Sequence, residues 1–282
     1  MTENDADEVL AAWETSSQYW SKHQARIEQM FAPLTRALIE AAQIHSGQAV
    51  LDVGGGSGEP SLTIASVVGD SGSVTYTDPS AGMVTAARDE ATRRRLTNIH
   101  FHQEPAQQLS FSDNSFDVAV GRLSMMFVPD VLAGLTEILR VTKRGGRMSF
   151  LVWNERAANP FFRIISDVLD RFVPADPEDE DAPGAFRFAR EGKLATLMRA
   201  AGATSVTEHV VEFQIEAPIN VEEFWEMRTE MSDTFRGKIA LLDAEKVAAL
   251  KAASVEAVAG YFQNGGMSFP AQARVVSGEK AH

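Results

Sequence analysis

The sequence predicts an α/β fold, an open doubly wound sheet with helices before it and a helical cap inserted near its end. Two observations carry this prediction. Between residues 49 and 153, short apolar runs alternate with amphipathic helical segments, and this order is typical of parallel βαβ units. The first apolar run ends in a glycine-rich turn, residues 54–58, at the place where such sheets bind ligands.

Composition restricts the class of protein. The 282 residues carry a formal net charge of -13 and include no cysteine, which excludes disulfides, thiolate catalysis and cysteine-ligated metals. We expect no metal site and, because a nucleic-acid binder needs a basic surface, no nucleic-acid partner. The short basic run Arg93 to Arg95 is interpreted as complementing a helix C-terminus. No apolar run could span a membrane, and residues 1–8 lack the features of a signal peptide, so we expect a cytoplasmic protein.

The elements follow from the spacing of apolar residues. Two amphipathic helices come first, at residues 8–25 and 27–44, where apolar side chains recur every three or four positions. Five strands are then predicted, at residues 49–53, 73–77, 99–102, 116–121 and 147–153. Helices are predicted after the first, second and fourth strands. In the last of these helices, Lys143 and Arg144 are assigned to the final turn and Gly145-Gly146 to its end.

The pattern changes after Trp153. In chain order it predicts a helix at 159–173, an acidic loop at 174–183, a helix at 190–201 and two strands at 205–216 and 271–277, which bring the strands to seven. The segment between these two strands, residues 220–264, is helical and far longer than a hairpin loop of about 2–5 residues. It is therefore predicted to be an inserted cap.

These elements predict three structural units. They are a helical cover at 1–46, an α/β core at 47–217 and 267–282 with a lid-like insertion at 155–190, and a helical cap at 218–266. The two covers favour an enclosed site, too small for a polymer. Helices of this kind could also form a homodimer.

The glycine turn predicts the kind of ligand. A tight turn that lacks Cβ atoms lets the backbone approach a ligand closely. The spacing here is Gly54-x-Gly56-x-Gly58, whereas a dinucleotide fingerprint would need a further glycine where Glu59 stands. A glutamate opposes a pyrophosphate, so an NAD-dependent oxidoreductase is the less favoured alternative. S-adenosylmethionine has no phosphate and carries a sulfonium cation, which the neighbouring Asp52 and Glu59 would tolerate.

Asp78 closes the second strand. A carboxylate at this position can accept hydrogen bonds from both hydroxyls of a ribose. Alternatively, Asp78 only begins the turn Asp78-Pro79-Ser80. The glycine turn one strand away favours the ribose role.

Residues 49–153 resemble the UbiE/COQ5-like branch, or methyltransferase type 11, of the class I S-adenosylmethionine-dependent methyltransferases. The segments that carry the resemblance are Val50 to Gly58, Asp78 to Met83, Leu109 to Asp117 and Glu137 to Arg147. The flanks, including Trp13, Trp20 and the segment Phe186 to Ala189, more weakly resemble small-molecule methyltransferases with a helical cap. The resemblance implies a Rossmann-like sheet of seven strands and S-adenosyl-L-methionine as the cofactor.

The resemblance also implies residue roles. The backbone of Gly54, Gly55, Gly56 and Gly58, next to Asp52, would hold the methionine part of the cofactor, Asp78 the ribose, and Pro79 and Met83 the two faces of adenine. Where the family usually has Asp-Ala-Glu, this chain has Glu104-Pro105-Ala106. Either Glu104 replaces the family's aspartate at the adenine amino group, or the backbone N–H of Ala106 recognises adenine.

Arg122 follows the fourth strand at the same edge of the sheet. It is a candidate for binding the cofactor carboxylate or an anionic group of the substrate. The alternative is a surface arginine paired with an acidic neighbour.

Methyl transfer from a sulfonium is an in-line displacement, so alignment of the reactants supplies most of the catalysis, about 7–11 kcal/mol in favourable cases. A general base is needed only if the acceptor must lose a proton. Tyr19 and His23, on the first predicted helix, are the weak candidates for that base.

The expected substrate wall is apolar and aromatic, which suits an apolar or aromatic acceptor. Its candidate residues are Trp20, Met126, Phe127, Trp153, Asn154 and Phe161, although ordinary core packing explains Met126 and Phe127 equally well. The predicted function is methyl transfer to an O, N, C or S atom of a small metabolite of secondary metabolism. The alternatives are a protein that binds S-adenosylmethionine without methyl transfer, either pericyclase-like or a sensor, and a methyltransferase of protein targets.

Overall fold

The computed structural model describes residues 3–174, 179–263 and 265–282. Part of the acidic loop predicted at 174–183 therefore lies outside the described residues. The described helices are α1 (Glu3–Lys22), α2 (Gln24–Ala42), α3 (Ser61–Val68), α4 (Ala81–Arg93), α5 (Val131–Val141), α6 (Pro160–Leu169), α7 (Lys193–Ala200), α8 (Val221–Met231), α9 (Asp233–Ile239) and α10 (Ala244–Val258). No helix in these ranges is long and apolar enough to cross a membrane.

The helices surround one sheet. Its strands are β1 (Ala49–Val53), β2 (Ser73–Thr77), β3 (Ile99–His102), β4 (Phe116–Arg122), β5 (Thr142–Trp153), β6 (Thr204–Ala217), the two-residue β7 (Phe262–Gln263) and β8 (Gly266–Glu279). The order is β3-β2-β1-β4-β5-β8-β6, and β7 pairs with β8 beside this path. The first five strands run parallel, and β8 is antiparallel to both β5 and β6. The predicted doubly wound α/β fold is confirmed.

The core lies between the sheet and its two helical layers. In β1, Val50, Leu51 and Val53 are all buried, because helices cover both faces of a parallel sheet and its strands then read as continuous apolar runs. The strand order reverses between β1 and β4. In such sheets this reversal opens a crevice at the carboxyl ends of the strands, where ligands bind.

The predicted boundary between α5 and β5 is wrong. Helix α5 ends at Val141, and the segment from Lys143 to Gly146 belongs to β5. This segment bulges from the sheet, since Phe116 pairs with Thr142 whereas Val118 already pairs with Arg147. The two glycines bond to Lys280 near the other end of the chain, with N···O distances of 2.9 and 3.0 Å. A long-range ladder, which no local pattern contains, therefore replaces the expected helix end.

Arg93 and Arg94 stand at the C-terminal end of α4, as predicted. Both guanidinium groups pair with the carboxylate of Glu90, and Arg94 also binds Glu28 on α2. These basic residues thus join α4 to the helical cover.

Candidate functional site

A cavity of about 270 Å³ opens at the carboxyl ends of β1, β2 and β4. Its floor is formed by the glycine turn and by the residues that follow β2, β3 and β4, and its roof by α1 and α2. Helix α1 is fastened over it, because the carboxylate of Glu14 accepts hydrogen bonds from the amides of Ala81 and Gly82 at 2.6 and 3.1 Å. A carboxylate is favourable there, at the N-terminus of α4.

The glycine turn has the conformation that its sequence predicts. Gly54, Gly56 and Gly58 have φ angles of +69, +56 and +123°, in a region that side chains disfavour. Gly55 is needed for space, since a Cβ atom there would lie 2.4 Å from the ring of Tyr76. The Tyr76 hydroxyl in turn donates to the carbonyl of Gly56 at 2.6 Å. The turn is therefore a rigid backbone surface facing the cavity.

Asp78 lies beside this turn, in the cavity wall. Its Oδ2 accepts a hydrogen bond from the amide of Gly56 and its Oδ1 from the amide of Ser80, both at 3.0 Å. Burial raises the pKa of this carboxyl to about 6. Each oxygen retains a lone pair for a further donor, such as a hydroxyl.

Asp52 and Gly58, both predicted to contact the cofactor, lie behind the cavity wall. Asp52 is fully buried, and its Oδ2 accepts a hydrogen bond from the Ser61 hydroxyl at 2.7 Å. Its Oδ1 has no partner among the described residues. Burial raises the pKa of this carboxyl to about 7. The structure thus places Asp52 beneath the turn, between it and α3.

The residues predicted to contact adenine come from the segments after β2 and β3. Pro79, Met83, Glu104, Pro105 and Ala106 all line the cavity. The carboxylate of Glu104 already accepts hydrogen bonds from the amide and the hydroxyl of Ser110. Both candidates for adenine recognition, the Glu104 carboxylate and the Ala106 amide, therefore lie on the same wall.

Arg122 also lines the cavity. Its Nη1 donates to the Thr35 hydroxyl at 2.8 Å and its Nη2 to the carbonyl of Glu59 at 3.2 Å. Arg122 Nε and Glu59 Oε2 are both buried, and neither has a hydrogen-bond partner in the described part of the chain. Burial lowers the pKa of Arg122 and raises the pKa of Glu59. The guanidinium of Arg122 and the carboxylate of Glu59 thus each retain one atom that is free to form a hydrogen bond with a ligand.

The remaining wall is aromatic. Trp13 and Trp20 of α1 and Phe127 after β4 line it; the ring centres of Trp13 and Phe127 are 5.0 Å apart in an edge-to-face contact, and those of Trp13 and Trp20 are 5.7 Å apart. Trp20 and Phe127 were predicted here, but Trp13 was not. The available signal was the spacing of seven residues between the two tryptophans, which places them on one face of a helix.

Helix α2 contributes a second unpredicted stripe. Gln24, Ile27, Glu28 and Phe31 line the cavity at helical spacing. The amide nitrogen of Gln24 donates to the carbonyl of Ser57 in the glycine turn. The helical cover and the turn are therefore directly connected.

The two candidate bases do not line this cavity. The ring of Tyr19 lies 4.7 Å beneath the guanidinium of Arg236. His23 is buried, with its Nε2 2.7 Å from the carboxylate of Glu230. Tyr19 thus joins α1 to α9, and His23, which lies between α1 and α2, joins the helical cover to α8.

Four predicted substrate residues, Met126, Trp153, Asn154 and Phe161, also lie outside the cavity lining. Trp153 and Phe161 belong to an aromatic cluster between the sheet and α6, and each contacts the ring of Phe162, at 4.7 and 5.0 Å between ring centres. The side-chain Oδ1 of Asn154 accepts a hydrogen bond from Arg274 Nε at 2.9 Å. Met126 is 1% exposed.

Residues 50–146 match a family described as "Methyltransferase domain". The aklanonic acid methyltransferase DauC of Streptomyces sp. (strain C5) is 35% identical over 122 residues, which are 43% of this chain and 56% of the relative. The ubiquinone/menaquinone biosynthesis C-methyltransferase UbiE of Stenotrophomonas maltophilia (strain K279a) is 38% identical over 133 residues, 47% of this chain and 52% of the relative. This chain thus spans about half the length of these two curated relatives.

Solved structures show the same fold. A crystal structure of a putative methyltransferase, BH2331, from Bacillus halodurans C-125 superimposes with a TM-score of 0.57 and 18% identity, over 88% of this chain and 99% of that one. This likeness agrees with the fold described above. Residues 50–146 therefore form a domain of the class I S-adenosylmethionine-dependent methyltransferases, a family whose cofactor is S-adenosylmethionine, and the two relatives support its UbiE-like branch.

Proposed function

We propose that this protein transfers the methyl group of S-adenosylmethionine to a small apolar or aromatic metabolite. One observation carries the proposal: a single cavity joins the glycine turn and Asp78 to the aromatic wall of Trp13, Trp20 and Phe127. The first part suits a nucleoside with an amino-acid tail, and the second suits an apolar acceptor. Helices α1 and α2 cover both parts, which supports a small molecule over a nucleic acid.

The residues present fit the cofactor. The backbone of Gly54 and Gly55 lines the cavity, and Cβ atoms there would lie within 2.5 Å of Ser124 and Tyr76 and would displace this surface. The unpartnered Arg122 Nε and Glu59 Oε2 offer one donor and one acceptor, matching the carboxylate and the ammonium of the methionine part. Asp78 would hold the ribose. Pro79 and Met83 would enclose adenine, with Glu104 or Ala106 at its edge.

The bound cofactor supplies a methyl group already activated by the sulfonium. The chain's own contribution is alignment of the acceptor and exclusion of water by α1 and the aromatic wall. No histidine, lysine or tyrosine of the described residues lines the cavity. We propose that the acceptor arrives as a nucleophile, such as an activated ring carbon or an ionised phenol, because carboxylates that line the cavity, including those of Glu28, Asp78 and Glu104, already accept hydrogen bonds. The indole N–H of Trp20, buried without a partner among the described residues, is a donor near such an oxygen.

The relatives' names support a small organic acceptor. One relative is named for aklanonic acid and the other for C-methylation in ubiquinone and menaquinone biosynthesis. A carbon acceptor needs no strong base in the wall when a neighbouring oxygen is ionised. The aromatic composition of the cavity wall and the names of the relatives both support a small organic acceptor.

Calorimetry with S-adenosylhomocysteine tests the first half of the proposal, and NAD should not compete. Incubation with methyl-labelled S-adenosylmethionine and a panel of naphthols and hydroquinones tests the second. The expected result is label in an organic-soluble product. Uptake of the cofactor product without label transfer to any panel member would favour the non-methylating alternative. Binding of NAD in place of S-adenosylhomocysteine would overturn both.

A further inference from the structure

The guanidinium of Arg228 lies in the interior of the helical cap. Helix α8 buries Phe224, Met227 and Arg228 together, a spacing that normally forms an apolar stripe. Arg228 is 7% exposed. Its guanidinium carbon lies 4.9 Å from the ring centre of Phe161 and 5.0 Å from that of Phe162. A cation therefore occupies a core position between two aromatic rings.

The described residues provide no carboxylate for this cation. Its Nε is buried without a hydrogen-bond partner in the ranges that the structure describes. The acidic residues of α8 are paired elsewhere: Glu222 with Lys251, Glu223 with Arg26, and Glu226 and Glu230 with Lys22. On α6, Asp167 pairs with Arg156 and Arg163. The anion that Arg228 lacks is thus absent from both helices that bury it.

Such an arrangement opposes folding. Burial lowers the pKa of Arg228 to about 10, which shows how strongly the site disfavours the charge. Contacts with two aromatic faces offset only part of the desolvation cost of a guanidinium. Leucine or methionine at this position would pack into the same stripe without that cost. The residue is therefore explained better by a ligand than by stability.

The Arg228 site is connected to the cofactor cavity by aromatic rings. Phe31 lines the cavity, and its ring centre lies 5.6 Å from that of Trp153. Trp153 contacts Phe162 at 4.7 Å, and Phe162 lies against Arg228. An elongated, flat molecule that displaces these side chains would reach from the cavity to the guanidinium.

We propose that Arg228 binds a carboxylate of the methyl acceptor, and that the acceptor is accordingly an aromatic or apolar carboxylic acid. The inference rests on the proposed function for the identity of the ligand as the acceptor. A guanidinium binds a carboxylate through two parallel hydrogen bonds, and the flanking rings hold its plane. The aromatic residues of this cluster then contact the acceptor's skeleton.

The test compares 2-naphthoate with its neutral twin 2-naphthamide, by calorimetry on protein with and without saturating S-adenosylhomocysteine. The variant is Arg228→Met. The control is Arg236→Met, because Arg236 also lies over an aromatic ring, that of Tyr19, but is paired with Asp233 at 2.9 Å. Wild type and Arg236→Met should prefer the carboxylate by about tenfold or more. Arg228→Met should lose this preference and gain about 2–4 °C in Tm, while Arg236→Met should lose thermal stability.

Two results would overturn the proposal. One is equal affinity of wild type for the two probes, including no measurable binding of either. The other is a carboxylate preference that survives in Arg228→Met. Uptake of S-adenosylhomocysteine is read separately in the same cell. Its failure would remove the proposed function, whereas normal uptake without a carboxylate preference would reject only the role of Arg228.

Discussion

The carboxylate of Asp78 accepts a hydrogen bond from the amide of Gly56 at 3.0 Å, so the acid after β2 and the glycine turn after β1 form one unit. Asp78→Asn would replace an acceptor by an amide donor facing either the Gly56 or the Ser80 amide. It would also remove the charge that we propose holds the ribose hydroxyls. Loss of about 3 kcal/mol, about a hundredfold in affinity for S-adenosylhomocysteine, is expected by calorimetry.

Asp117→Asn is the matched control for this variant. Asp117 also accepts a backbone amide bond, from Ala49 at 2.9 Å, but it lies at the opposite end of β4. Its replacement should lower stability and leave cofactor affinity within about threefold, since the cavity is untouched. Equal losses of affinity in both variants would show that Asp78 acts through general stability rather than through the ligand.

The buried carboxyl of Asp52, beneath the glycine turn, predicts that the stability of the protein depends on pH. Burial raises the pKa of Asp52 to about 7, above its value of 3.8 in the unfolded chain. An acid with a raised folded pKa favours folding in its protonated form, so its contribution is present below pH 3.8 and is lost as the pH rises through about 7. The loss amounts to up to about 4 kcal/mol.

Asp52→Asn cannot ionise and keeps the Ser61 bond through its amide oxygen. Relative to wild type, it should become progressively more stable between pH 5 and pH 8, measured by urea unfolding of the protein without cofactor. A stability difference that stays constant over this range would show that Asp52 does not titrate there.

Gly55 has room for no side chain. In Gly55→Ala the new Cβ atom would lie 2.4 Å from Tyr76 and 2.8 Å from the Asp52 carboxylate. Overpacking should cost about 1–3 kcal/mol of stability and should displace the turn, lowering affinity for S-adenosylhomocysteine. In Gly237→Ala, on the exposed face of α9, no atom lies within 4 Å of the new Cβ. That variant should gain up to about 1 kcal/mol. If unfolding curves show Gly55→Ala to be as stable as Gly237→Ala or more stable, the close packing at Gly55 is contradicted.

Sequence predicted the sheet and the conformation of the glycine turn well because each rests on local constraints. Alternating periods define strands and helices, and a turn such as Gly54 to Gly58 has few chemical solutions. The α5–β5 boundary failed because the bonds of Gly145 and Gly146 go to Lys280, far away in sequence.

The substrate wall was harder to predict. An aromatic side chain at a strand end indicates apolar surroundings, but it does not indicate whether these surroundings are the cavity wall or the protein core. The sequence therefore placed Trp153 in the substrate wall together with Phe127. In the structure, the ring of Trp153 packs against those of Phe31, Phe162 and Phe213. Arg228 interrupts the apolar stripe of α8 at a single position, and only the fold shows that no carboxylate in the described part of the chain pairs with it.

The contrast between Trp13 and Trp153 tests where the acceptor first meets the enzyme. Trp13 is half-buried on α1 and lines the cavity. If the acceptor binds this wall as proposed, Trp13→Ala removes one of its contacts, so KM for the acceptor should rise about tenfold while affinity for S-adenosylhomocysteine changes little. Trp153 is 3% exposed. Trp153→Ala should lower the free energy of unfolding by about 3–5 kcal/mol, measured in urea.

The milder Trp153→Phe keeps most of the packing and covers the case in which the alanine variant does not fold. Its KM should stay within about threefold of wild type if Trp153 acts mainly through packing. If KM increases more in Trp153→Phe than in Trp13→Ala, the acceptor first contacts the aromatic cluster rather than the α1 wall. Since that cluster ends at Arg228, the same result would also show that the acceptor penetrates the cap before the methyl group is transferred.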